Sequence, residues 1–204
     1  MDLRIEHPIS KGYYCTLQWH SHSEDTQHNS PVVTADMVAA IKQRMQQIIA
    51  EDRPIYEEEK RTKDVIKMFA SQYNKGTIFE TLGNPYCRYF RMGDFIDYYT
   101  NVLLPSSGYI NVFDLELFQD GMLLRIPNRE NPTILEDAIQ QDKMFSIFCE
   151  YSRWNKQLHI HNVTEFNIAC KRNKSFEMIK LAEALNEKKV AQIADQIAHR
   201  ESGI

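Results

Sequence analysis

Apolar and polar residues alternate through LRIEHPISKGYYCTLQWH at the start of the chain, and Lys11-Gly12 interrupts the alternation. Period-two patterning on both sides of a turn signal predicts two short strands. Residues 20–31, HSHSEDTQHNSP, hold no apolar residue and end in proline, so they read as a loop with nothing to bury. The period then changes. Met37, Val38, Ile41, Met45, Ile48 and Ile49 share one helical face, and Lys42, Gln43, Gln46 and Gln47 supply the polar one. This spacing predicts a helix from Thr34, whose hydroxyl can cap it, to about Asp52. Arg53-Pro54 ends it, because proline crowds helical geometry in the residue before it.

Beyond the proline, IYEEEKR predicts a strand, and Thr62 can cap a second helix carrying Val65, Ile66, Phe69 and Tyr73. TIFETL, CRYFRMGDFIDYY and GYINVFDLELFQDGMLLRI predict further strands, with turns at 83–85, 105–108 and Asp120-Gly121. The pattern becomes helical after Pro127. Leu135, Ile139, Phe145, Phe148, Tyr151 and Trp154 recur mostly three or four apart over 132–158, and helices are expected at 164–172 and 175–199. Strands and helices mix without βαβ alternation. The expected fold is α+β, an antiparallel sheet packed with helices over 1–130, followed by a helical extension over 131–204.

Composition adds limits. With 43% hydrophobic and 25% charged residues, the 204-residue chain reads as an ordinary globular protein. A net charge of −4 gives no global attraction for nucleic acid or an anionic membrane. No apolar run approaches the ~20 residues that span a bilayer, and MDLRIEHPISKG lacks the apolar core of a secretory signal. Cys15, Cys87, Cys149 and Cys170 are far apart, as isolated thiols in a reducing compartment would be, so a cytoplasmic location is expected.

Candidate chemistry is sparse. Neither a phosphate loop nor GxGxxG, HExxH or GxSxG occurs. His20/His22 and His159/His161 are spaced to share a strand face, but no cysteine or carboxylate completes a ligand set, so surface histidines are expected and no metal site. The run Glu57 to Arg61 reads as a solvated strand end. Tyr13/Tyr14 and Tyr98/Tyr99 suit either core packing or stacking on bases. Arg88, Arg91, Arg125, Arg129, Arg153 and Lys156 would form a phosphate-facing stripe only if strands 86–92 and 122–126 adjoin. Tyr14, Arg88, Arg91 and Arg125 are the binding candidates. Asp97, among apolar neighbours, suits either a functional carboxylate or the capping of the loop after it.

Four segments, PISKGYYCTL, IIAEDRPI, RTKDVIKMFA and RMGDFIDYYTNVLLPSSGYINVFDL, resemble in order the second additional domain of threonyl-tRNA synthetases, over about residues 5–127. That domain hydrolyses misacylated seryl-tRNA, so the resemblance implies its fold and tRNA as a partner. The family reads Asp-Leu-Cys-Arg-Gly-Pro-His before a Pro-Ser-Thr-Gly turn, with Cys and His serving metal binding and catalysis. Here Tyr99 takes the Cys position and Leu103 the His position, before Pro105-Ser106-Ser107-Gly108. Neither replaces a thiolate or an imidazole, so the editing metal site is lost and zinc is not expected. The family's HxxxH helix would precede residue 1. Asp97 matches the family's acid and Lys75 its active-site lysine, leaving a residual cleft.

LLRIPNRENPT, FCEYSRWNKQL, VTEFNIACKRN and AEALNEKKVAQIADQIA resemble the N-terminal half of bacterial nucleoside (uridine) kinases, which place a degenerate synthetase-like segment before a phosphate-loop domain. This implies a non-catalytic ancillary module that binds RNA, a nucleotide or a kinase domain in cis, with ATP and magnesium belonging to that domain. Two alternatives stand beside it. One is a freestanding aminoacyl-tRNA deacylase acting through Asp97 and Lys75, and the other a dimerisation module built on the helices of 132–158 and 175–199.

Overall fold

The opening alternation folds into a hairpin in the computed structural model, which describes residues 2–18, 32–70, 72, 75–158, 160 and 162–199. Strand β1 (Asp2–Ile9) pairs antiparallel with β2 (Gly12–Gln18). Ser10 and Lys11 form the turn, with φ of 51° and 59°, so the turn lies one residue earlier than Lys11-Gly12 suggested. Gly12 serves close approach instead: a Cβ there would sit 2.7 Å from the Leu124 carbonyl oxygen. A second hairpin, β6 (Asp114–Phe118) and β7 (Gly121–Arg125), completes a four-stranded sheet of order β1-β2-β7-β6.

Alternation then sorts β2 between two cores, because successive side chains leave a strand on opposite faces. Cys15 and Leu17 join Leu115 and Met122 under helix α1 (Ala35–Ala50), which buries Val38 and lays Met37, Ile41 and Met45 beside it. Thr34 caps this helix, its Oγ1 accepting the Met37 N–H at 3.3 Å. On the other face Tyr14, Ile9 and Leu123 meet Phe145 and Phe148 of a helix α4 (Asp142–Gln157).

A separate sheet of order β3-β4-β5 is built from β3 (Tyr56–Arg61), β4 (Tyr86–Met92) and β5 (Phe95–Asp97). Helices α2 (Thr62–Met68) and α3 (Lys75–Leu82) cover one face. Val65, Phe69, Phe79, Cys87 and Tyr89 form its core. Three expectations change here. TIFETL is helical, because Gly76 and Phe79, three apart, are the positions that α3 buries. The second helix starts at Thr62 without a side-chain cap, since the Thr62 hydroxyl donates to the Asn84 carbonyl. Tyr73, expected on that helix, lies outside the described residues.

The C-terminal portion differs from expectation at its start. Residues 126–141 form an irregular strap, and α4 begins only at Asp142. Ile134 and Ile139 remain about half exposed, so the apolar spacing of the strap had no core to face. The strap is instead tied by polar contacts: Arg125 donates to the Glu136 carbonyl, and the Ser10 N–H donates to Gln141 Oε1 at 2.9 Å. Helix α5 (Val163–Lys171) docks on α3, with Asn167 donating to Thr81 Oγ1 at 3.3 Å and Lys171 to the Glu80 carbonyl at 3.1 Å. Helix α6 (Ser175–Ala198) buries no residue and is bound to α4 through Lys189 and Glu150 at 2.7 Å. Among the described residues no helix is long and apolar enough to cross a membrane.

Candidate functional site

Strand β5 is short because its ladder with β4 runs only from Met92–Phe95 to Phe90–Asp97, around a turn at Gly93 with φ of 61°. Asp97 is therefore the last paired residue, where the chain leaves the sheet. Its Oδ1 accepts the Tyr98 N–H at 2.6 Å and the Lys75 ammonium at 2.6 Å. Lys75 opens α3, where a cation opposes the positive end of the helix dipole, and Asp97 offsets that opposition. Both side chains are 40% exposed, so the pair is open to solvent. The structure thus places together the two residues that the synthetase resemblance singled out, although they are 22 positions apart.

Gln72 supports this geometry. Its Nε2 donates to the Ile96 carbonyl at 3.1 Å, one residue before Asp97, and the Lys75 N–H reaches the Gln72 carbonyl at 3.3 Å. Its Oε1 is buried without a partner among the described residues. Sequence reasoning missed Gln72, because a polar residue between two helix ends carries no periodic signal.

Tyr99 is 50% exposed and Leu103 36%, with Val102 and Leu104 also facing solvent. Neither side chain ligates zinc, and among the described residues no three His, Cys, Asp or Glu side chains are grouped to hold a metal. His20/His22 and His159/His161 lie outside the described residues. All four cysteines are free.

The Pro105-to-Gly108 turn is a clamp between the end of α1 and the rest of the molecule. Ser107 Oγ donates to the Ile48 carbonyl at 2.6 Å and accepts the Arg53 N–H at 2.8 Å. The Ser107 N–H donates to the Arg53 carbonyl at 2.9 Å, and the Ile55 N–H to the Pro105 carbonyl at 2.8 Å. Asp52 Oδ1 accepts from the Ser106 hydroxyl and, at 3.0 Å, from the Gly108 N–H. A Cβ on Gly108 would overlap the Asp52 carboxylate, which explains the glycine.

The phosphate-facing stripe does not form. Arg88 and Arg91 lie on β4 and Arg125 on β7, in different sheets. Arg91 is held by Glu58 at 2.6 Å and Arg88 by Glu57 at 3.0 Å, so the acidic strand end is engaged with β4 and not merely solvated. The Tyr89 hydroxyl also donates to Glu58, and this bond, followed by the one from Arg91, lowers the Glu58 pKa. The Arg125 side chain is 15% exposed and tied to Glu116 and the strap. Tyr14 is 5% exposed and donates to Asp120, so it packs and cannot serve as a stacking platform. Burial, then the bond to Asp120, raises its pKa far above the ordinary phenol value. Tyr98 packs edge-on against Phe79 at 5.0 Å.

Tyr99 lines a notch of about 170 Å³ where the chain peels away from β4, together with Tyr86, Arg88, Asn84 and Glu59. Tyr98, the residue after Asp97, also lines it, as does Leu82 at the far end of α3 from Lys75.

No family model matches the chain. A stretch of 92 residues, 45% of the chain, is 32% identical to the threonine–tRNA ligase of Enterococcus faecalis. The chain carries a threonyl-tRNA synthetase-like region. The match spans 14% of the length of that enzyme. It lends nothing to the resemblance of the C-terminal segments to nucleoside kinases.

Proposed function

We propose that this chain is a threonyl-tRNA synthetase-related editing module that engages the aminoacyl end of a tRNA and hydrolyses its ester through Lys75 and Asp97, without zinc. The observation that carries this reading is the solvent-open Lys75–Asp97 pair at 2.6 Å, set beside a tyrosine-lined notch. Ester hydrolysis needs a water held at the carbonyl and a donor for the developing oxyanion. Asp97 Oδ2 is available to orient the water while Oδ1 holds Lys75. An ammonium has three N–H donors, so Lys75 can keep Asp97 and still reach the oxyanion. The notch has room for one unpaired base against Tyr99. A cytoplasmic location, where charged tRNA is found, goes with this role.

The test is deacylation of seryl-tRNA by the purified chain in the presence of a chelator. Turnover that falls by about a hundredfold or more in Asp97→Ala, with an unchanged melting temperature, supports the proposal. An equal rate in the variant, or none in the parent chain, sinks it. The second reading, favoured by Tyr99 and Leu103 at the positions of the lost ligands, is the ancillary module that holds RNA, a nucleotide or a kinase domain without turnover. It predicts tRNA or nucleotide binding that survives Asp97→Ala and no product.

A further inference from the structure

A cavity of about 400 Å³ lies away from the Lys75–Asp97 pair, between the β1–β2 turn and the strap that precedes α4. Its volume falls within the ~300–1,000 Å³ range of small-molecule sites, whereas the notch beside Tyr99 is smaller than that. Ile9, Pro8, Ile126 and Pro127 supply apolar wall. Ser10 and Gln141 supply polar wall. Ser10 is only 2% exposed, and its Oγ has no hydrogen-bond partner among the described residues. That hydroxyl has less than 1 Å² of accessible surface, so Ser10 closes the wall of the cavity and stays out of a ligand's reach. Gln141 uses Oε1 to accept the Ser10 N–H, so its amide NH₂ remains a donor.

The charges on this cavity decide what it takes. Lys11 Nζ and Glu136 Oε2 face each other at 2.5 Å with side chains 42% and 34% exposed. Asn128 Nδ2 holds the other carboxylate oxygen at 3.1 Å, so the pair is fixed on the strap side. A lone anion drawn to Lys11 is repelled by Glu136, and a lone cation meets the reverse. The complement of a fixed ion pair is a second pair laid antiparallel to it. The lysine retains two N–H donors and the carboxylate retains lone pairs, so neither has to release the other.

We infer that this cavity is a site for a small zwitterion, a free amino acid with an uncharged side chain. Its carboxylate meets Lys11 and the Gln141 amide, its ammonium meets Glu136, and its side chain lies against Pro8, Ile9, Ile126 and Pro127. The site is separate from the proposed ester-handling site and stands whether or not that reading holds. The turn places two left-handed non-glycine residues, Ser10 and Lys11, side by side at the cavity wall, where a hairpin relaxes best with Asn-Gly.

Saturation-transfer NMR on the full chain tests this with free amino acids at millimolar concentration, each compared with its N-acetyl and its carboxamide form. Binding of at least one free amino acid is expected, weakened about tenfold or more when either charge is blocked. Lys11→Met and Glu136→Gln should each weaken it by a similar factor while the far-ultraviolet circular dichroism stays that of the parent chain. Absence of binding by every free amino acid overturns the inference, and so does equal binding by the blocked forms or by the charge variants.

Discussion

Ser107 shows how one residue can carry a turn. Its hydroxyl closes α1 by donating to the Ile48 carbonyl, and it accepts the Arg53 N–H on the segment leaving the helix. Ser107→Ala leaves both backbone groups without that partner in a place where Ser107 is only 3% exposed. A loss of about 1–3 kcal/mol is expected, measured by urea denaturation. His7 makes a different prediction. Its ring stacks on Phe148 at a centroid distance of 4.0 Å, and its Nε2 is buried without a partner among the described residues. Burial lowers its pKa below 6.5, with Glu6 pulling the other way. A histidine with a depressed folded pKa takes up its proton more readily in the unfolded chain. The stability it contributes is therefore complete above 6.5 and is lost as pH falls through 6.5 toward the folded value. The urea midpoint should drop between about pH 7.5 and pH 5.5, and His7→Phe should flatten that interval. The lowered carboxylates of Glu51, Glu58, Asp114 and Glu136 titrate in a separate window, below their ordinary range, and both proteins should share that acid limb.

At the level of elements, α1 and α3 illustrate what a pattern reveals. Helix α1 is 16 residues long, so its apolar stripe repeats often enough to be distinguished from a strand, and the structure follows the spacing from the Thr34 cap onward. Helix α3 has eight residues, fewer than three turns, and Thr77, Ile78 and Phe79 are β-branched or aromatic. Local preference points to a strand. Burial of Phe79 against Phe69, with ring centroids at 5.2 Å, overrides it. Phe79→Ala should cost about 3–5 kcal/mol, read by the same urea titration, because Phe79 is wholly buried and its removal leaves a cavity under the sheet. That variant should also disturb the Lys75–Asp97 pair, since α3 carries Lys75 at its first position. The 126–141 strap errs the other way. Its apolar spacing imitates a helix, but the Arg125 side chain donates to its Glu136 carbonyl and the Ser10 backbone N–H to its Gln141 side chain.

On the scale of the molecule, two sheets are each clad by their own helices, and the C-terminal helices reach both: α4 on the four-stranded sheet and α5 on α3. The aromatic cluster of His7, Tyr14, Phe118, Phe145 and Phe148 holds α4. Phe148→Ala removes the stacked partner of His7 and should release α4. The check is the fluorescence of Trp154 on that helix, which should shift to the red at neutral pH while the far-ultraviolet circular dichroism stays near that of the parent chain. An unchanged spectrum would show that Phe145 alone holds the helix.

By itself the sequence determined the α+β class, both hairpins of the four-stranded sheet, and the α1, α5 and α6 helices. These are local properties: period, capping and turn residues. Only the tertiary structure decided that Lys75 and Asp97 touch, that Tyr14 and Arg125 are engaged inside the fold, and that the proposed arginine stripe is split between two sheets. It alone showed that the Pro105-to-Gly108 turn clamps α1, and that Ser10, Lys11 and Glu136 meet at a cavity. Each of these depends on which strands pair and which faces meet over tens to more than a hundred residues of separation, and no local period encodes such a pairing.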